Sequence, residues 1–167
     1  MHNFITHMDI VHCYISSGHS FKGRTGFAPA DCPMREVAAV ECVAGCGLRG
    51  DRYFKRDENH KGQITFFAAE THEWLCAKFG VTDKPPSAFR RNVITRGADL
   101  NALIGVEFEV QGVNFLGVEE ARPCHWMNTA FHPGAEDALR GRGGLRARIL
   151  SDGVLRSASR PAESAQR

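Results

Sequence analysis

Residues suited to chemistry concentrate in one segment, Glu119-Glu120-Ala121-Arg122-Pro123-Cys124-His125-Trp126-Met127. A cysteine thiolate is both a nucleophile and a soft metal ligand, and neighbouring positive charge favours it over the thiol. Cys124 stands between Arg122 and His125, with Pro123 fixing the direction of the chain. The pattern predicts a reactive thiol just past the end of a strand. Taken alone, the segment reads equally well as a buried cysteine that closes a strand beside Trp126.

A second segment, Phe89-Arg90-Arg91-Asn92-Val93-Ile94-Thr95-Arg96, opens a strand with two adjacent arginines. Successive strand residues point to opposite faces, so at most one of Arg90 and Arg91 is expected to look into a pocket. Asn92 is placed to bond a loop or a ligand. Of the 21 basic residues 16 are Arg, which suits fixed bidentate contacts to anions, although a GC-rich genome produces the same bias.

The other five cysteines, Cys13, Cys32, Cys42, Cys46 and Cys76, are read as small apolar residues with free thiols. Cys42 and Cys46 have the spacing C-x3-C, and no partner pair lies at zinc-ligand spacing. The stretch Met1 to Ser17 mixes His2, His7, His12 and Asp9 among its apolar residues and lacks the continuous apolar core expected of a signal peptide. Nothing approaches the roughly 20 apolar residues of a membrane span. A cytoplasmic protein is expected, and a net charge of +2 argues against a nucleic-acid or membrane surface as the partner.

The elements that must position these residues are short. Strands are predicted over Ile10–Ile15, Glu36–Val43, Ile64–Phe67, Asn92–Thr95, Val106–Val110 and Val113–Val118. Gly144–Leu150 and Val154–Leu155 are expected to pair as a hairpin about Asp152-Gly153. Ser16 to Pro33 reads as a long Gly-rich loop. Ala69–Phe79 is the best helix, with Gly80 as its C-terminal cap, and Pro133–Leu139 is a shorter one. Many short strands with Gly-rich turns and few helices define a mainly β (α+β) protein with a closed or nearly closed β-barrel. A chain of 167 residues, 43% hydrophobic and 24% charged, fits one domain, expected over 1–156, with a frayed tail over 157–167. Dinucleotide, P-loop and nucleophile-elbow motifs do not occur.

With these pieces in order, the chain resembles the MOSC domain, the module at the C-terminus of molybdenum cofactor sulfurases that also occurs as short free-standing proteins. The resemblance runs from about Val37 to Leu155. Its pieces are the Gly-Leu-Arg-Gly-Asp-Arg run ending at Arg52, Gly62-Gln63-Ile64-Thr65, Arg90-Arg91-Asn92-Val93-Ile94, Gly97-Ala98-Asp99-Leu100, Leu103-Ile104-Gly105, Arg122-Pro123-Cys124 and Gly144-Leu145-Arg146-Ala147-Arg148-Ile149-Leu150.

The resemblance implies a cleft in which Cys124 contacts molybdenum or carries sulfur, with Arg91, Asn92 and Arg122 holding the phosphate-bearing pterin of a molybdenum cofactor. It departs from the amidoxime-reducing relatives, which carry an additional N-terminal barrel domain. It departs also from the sulfurases, whose pyridoxal-phosphate domain is missing, and with five lysines and no Schiff-base setting pyridoxal phosphate is not expected. Three functions are compatible: a molybdenum-dependent reductase of N-hydroxylated compounds, a carrier of persulfide sulfur for a metalloenzyme, and a non-catalytic anion-binding module. The expected partners are a small-molecule substrate or cofactor, a redox or metalloenzyme protein, and a second copy in a homodimer.

Overall fold

The computed structural model describes residues 4–5, 7–18, 32–57 and 59–159. Eleven strands are seen among them: β1 Phe4–Ile5, β2 Asp9–Ile15, β3 Arg35–Val37, β4 Ala39–Val43, β5 Gly47–Leu48, β6 Ile64–Ala68, β7 Val93–Arg96, β8 Glu107–Val110, β9 Val113–Glu120, β10 Leu145–Ile149 and β11 Gly153–Arg156. Helices α1 Ala69–Phe79, α2 Trp126–Ala130 and α3 Ala135–Ala138 complete the set, with short 3-10 turns at Pro86–Phe89 and Asn101–Leu103.

Eight strands form one mixed sheet in the order β1-β8-β9-β10-β6-β7-β2-β3, and β11-β4-β5 form a second. The protein is therefore mainly β, as expected. A closed barrel is not found among the described residues, because the larger sheet has free ends at β1 and β3. The expected hairpin also gives way: β10 pairs with β6 and β9, whereas β11 crosses to β4 in the other sheet.

Period-two patterning accounts for most of the sheet. In β8 Phe108 and Val110 are buried while Glu107 is exposed, and Gln111-Gly112 turns the chain with both residues at positive φ before β9. The strand expected over Glu36–Val43 breaks at Ala38 into β3 and β4. In β2 a register shift between Ile10 and His12 breaks the alternation. Ile10, Cys13 and Ile15 then face the core between the sheets, while Val11 and Tyr14 pack on the other side.

Two apolar clusters result. The first fills the space between the sheets, where the rings of Phe66, Phe108 and Phe115 meet with centroids 5.4 to 5.8 Å apart. The second lies between the outer face of the larger sheet and the helices, joining Phe67 and Ile94 to Leu75 of α1, Phe89, Met127 of α2, and Ala135 and Leu139 next to α2. Helix α1 follows β6 directly and stops at Gly80, whose φ of 65° and bond to the Cys76 carbonyl form the left-handed cap read from the sequence.

The loop expected over Ser16–Pro33 lies largely outside the described residues, as does the tail from Arg160. Ser157–Ser159 are not frayed: Ser157 N–H donates to the Ala38 carbonyl at 2.9 Å, and Ser159 Oγ donates to Glu36 at 3.0 Å. No helix among the described residues is long and apolar enough to cross a membrane.

Candidate functional site

The register of the larger sheet sets one row of residues side by side: Glu119 of β9, Arg146 of β10, Thr65 of β6, Asn92 just before β7, and Tyr14 of β2. Residues in one row share a face. The next row, Leu145, Phe66, Val93 and Cys13, belongs to the core between the sheets, so the polar row points outward. Beside it β9 ends, and the chain runs through Ala121-Arg122-Pro123-Cys124 into α2.

Cys124 is the exposed cysteine; Cys13 and Cys42 are buried, and Cys32, Cys46 and Cys76 are intermediate. Its loop is held firmly on both sides. The Cys124 carbonyl accepts the N–H of buried Met127 at 3.0 Å, and the Ala121 N–H donates to the Gly144 carbonyl at 2.9 Å. Gly143 packs directly beneath, where a Cβ would collide with the Ala121 carbonyl oxygen and sit 3.0 Å from Pro123 Cδ. Only glycine permits that approach.

Arg91 fastens the same loop from the side. Its Nε donates to the Gly143 carbonyl at 3.0 Å, Nη1 to Phe89 at 3.1 Å, and Nη2 to Ala121 at 2.8 Å and to Arg122 at 3.4 Å. Burial, with Arg146 adding to it, pushes the Arg91 guanidinium down to about 10, while Cys124 and Tyr53 act in the opposite sense and Arg52 again lowers it. Arg91 therefore stays charged at neutral pH, within the electrostatic reach of the Cys124 sulfur.

Asn92 is buried, and its side chain is committed to the sheet. Oδ1 accepts from the Thr65 N–H and hydroxyl, both at 3.0 Å, and Nδ2 donates to the Tyr14 carbonyl at 3.2 Å. The structure thus brings Arg91 to Cys124 but turns Asn92 into the junction of β2, β6 and β7. Arg122 is exposed, and its guanidinium has no hydrogen bond or ion pair among the described residues. His125 leans toward Glu136, Nδ1 to Oε2 3.6 Å, rather than toward the thiol.

Arg90 breaks the alternation expected of Arg90 and Arg91. It ends the 3-10 turn at a φ of 57° and is buried, donating from Nη1 to the Cys32 carbonyl at 2.9 Å and from Nη2 to Gly18 at 2.7 Å. Burial, then Arg52, lowers its guanidinium. Arg91 donates to backbone carbonyls, and Arg90 to backbone carbonyls and, from Nη2, to Ser16 Oγ at 3.3 Å.

Several members of this face carry no individual signal in the sequence. Arg52 pairs with the buried Asp51 carboxylate at 3.4 Å and lies over the Tyr53 ring at 4.6 Å, and Tyr53 stacks on His60 at 5.0 Å. Arg146 pairs with Glu119 at 3.3 Å. Burial lowers His60 below its ordinary value, with Asp57 acting against it and Arg56 and Arg146 adding to it. Arg52 and Arg146 stand inside segments that carry the resemblance, but only the tertiary fold brings both, one from the turn after β5 and one from β10, to Arg91. The cysteine-bearing loop and its arginine-rich surroundings form an open, basic, thiol-bearing site.

A family model described as MOSC domain matches residues 53–158, and the chain belongs to the MOSC domain family. No curated protein matches the sequence significantly. The fold is similar to that of the YuaD protein from Bacillus subtilis, with a TM-score of 0.66 at 18% identity over 90% of this chain and 92% of that one. It is also similar to YiiM from Geobacillus stearothermophilus, with a TM-score of 0.65 at 16% identity over 89% and 71% of the two chains. YiiM from Escherichia coli follows with 0.59 at 15% identity over 86% and 65%.

Proposed function

We propose that the protein binds a molybdenum–pterin cofactor with the Cys124 thiolate as the protein's ligand to the metal, and reduces N-hydroxylated compounds there. The observation that carries this reading is the exposed thiol of Cys124, on a loop clamped by Arg91, in a chain of the MOSC family. The donor set fits the group. A thiolate is the soft ligand molybdenum requires, and guanidinia suit the phosphate of a pterin. Among the described residues no three His, Cys, Asp or Glu side chains gather around one point, so the remaining metal ligands must come with the cofactor.

When bound, the cofactor supplies the redox chemistry. The chain supplies placement. Cys124 offers the sulfur, Arg91 fixes that sulfur by holding the carbonyls of Ala121 and Arg122, and Asn92 fixes the strand ends on which Arg91 stands. Arg122, without a partner among the described residues, offers its guanidinium to an anionic group of the substrate. Conversion of an N-hydroxyl to the amine and water consumes two electrons and two protons, and a redox partner protein is the electron source.

The exposure of Cys124 also favours a second reading, in which it carries a persulfide for delivery to another metalloenzyme. Metal, pterin and intact-mass analysis of the parent and of Cys124→Ser, made in a host that synthesises the cofactor, separates the two. The first reading expects molybdenum and pterin in the parent and loss of the metal in Cys124→Ser, because an alcohol is a harder and less acidic donor. The second expects little molybdenum and one extra sulfur that a reductant removes. Molybdenum unchanged in Cys124→Ser, with no removable sulfur in the parent, overturns both and leaves an anion-binding module.

A further inference from the structure

A cleft of about 210 Å³ opens beside Pro123, lined also by Glu120, Arg122, Glu136, Arg140 and Gly141. It is a small cleft at the surface, where Arg122 and Arg140 are exposed. Its lining is two cations and two anions. Among the described residues, neither arginine lies within ion-pair distance of either glutamate: Glu136 approaches His125, and Arg140 pairs with Asp137 at 3.0 Å on the exposed side. Opposite charges therefore line one small cleft without neutralising one another.

The carboxylates are held in place. Glu120 Oε1 accepts the Gly143 N–H at 3.2 Å, and Glu136 is tied to Asn128 through its own N–H at 3.0 Å and through Oε2 at 3.4 Å. Holding them beforehand lowers the ordering cost of binding a cation. The arginines stand ready for an anion: among the described residues Arg122 has no partner and Arg140 only an exposed one, a kind of pair worth little in water.

We propose that this cleft binds a small zwitterion, its carboxylate on Arg122 and Arg140 and its cationic nitrogen on Glu120 and Glu136, and so selects substrates with an amino-acid-like head for reaction beside Cys124. The assignment of the ligand as substrate rests on the reading of Cys124 as the reacting centre; the binding itself does not. A zwitterion satisfies both halves of the lining at once, whereas a simple anion or cation leaves one pair of charges unmet.

The test uses the full chain and three probes: L-glutamine, its α-amide, which lacks the carboxylate, and its Nα-acetyl derivative, which lacks the ammonium. Binding is read by NMR shifts of backbone amides. L-glutamine is expected to shift residues 120–122 and 136–141, and each blocked probe to bind about tenfold more weakly or worse, the scale of one lost charge-assisted hydrogen bond. Arg140→Gln and Arg122→Gln should each weaken L-glutamine by a similar factor while their melting temperatures report an intact fold. Equal binding of all three probes, no binding at millimolar concentration, or unchanged affinity in both variants overturns the proposal. Loss of molybdenum binding with the zwitterion site intact counts against the cofactor reading alone, and the converse counts against the cleft alone.

Discussion

Cys13 and Cys42 lie fully enclosed between the two sheets, whereas Cys124 is exposed on the loop after β9. Burial, with Glu36 adding to it, pushes the Cys13 thiol up to about 12, and burial with Cys13 does the same to Cys42. The same side chain is thus an inert apolar filler in one region and an accessible sulfur among arginines in the other. Residue type offers both chemistries, and solvent exposure selects between them.

The largest expected effect that tests this contrast is in thiol reactivity. At pH 8 a thiol with a pKa of about 12 is thiolate in roughly one molecule in ten thousand, even before its enclosure is counted. Brief treatment of the native protein with a thiol reagent, read by peptide mass, should label Cys124 first and leave Cys13 and Cys42 unmodified until the fold opens. Labelling of Cys13 or Cys42 at the pace of Cys124 would break the comparison.

Next in size is the removal of the clamp that distinguishes the exposed region. Arg91→Met strips the donor from the carbonyls of Phe89, Ala121 and Gly143, and should cost about 3 kcal/mol of stability, since each unmet buried acceptor costs about 1–3 kcal/mol. Denaturant unfolding measures the loss, and faster amide exchange at 121–127 would place it in the Cys124 loop. Stability within experimental error of the parent would show that the loop needs no clamp.

The smallest effect sharpens the contrast at the edge of the basic face. Burial lowers His60 below its ordinary value, so the unfolded chain binds a proton there at a higher pH than the folded one. Stability is then fully present above the unfolded-state value and falls as pH drops through that value toward the folded one. The melting temperature should decline slightly more between pH 7.5 and 5.5 in the parent than in His60→Gln. Equal declines would mean that His60 is as well solvated folded as unfolded.

Much of the architecture was legible because it depends on local patterning. Alternation exposed β8 and β9, helix formers bounded by Gly80 marked α1, and the ordered motifs from Gly47 to Leu150 pointed to the MOSC family. Where a local rule met a long-range one, the long-range one prevailed. The bulge in β2 put Ile10 and Cys13 on one face against strict alternation, and the pairing of β11 with β4 replaced a hairpin that Asp152-Gly153 had indicated.

The site divides in the same way. Cys124 stood out by residue type and by its neighbours in the chain, which are local facts. The roles of Arg90, Arg91 and Asn92 were not legible, because a polar side chain beside a strand serves either a ligand or the backbone, and the choice depends on which carbonyls come within reach. Sequence by itself therefore determined the β-rich class, the family and the candidate thiol, Cys124. Tertiary structure alone decided that Arg91 and Asn92 hold backbone, that Arg122 has no partner among the described residues, and that Arg52, Tyr53, His60 and Arg146 lie around Arg91, since hydrogen bonds and burial join residues that the fold brings together from distant parts of the chain.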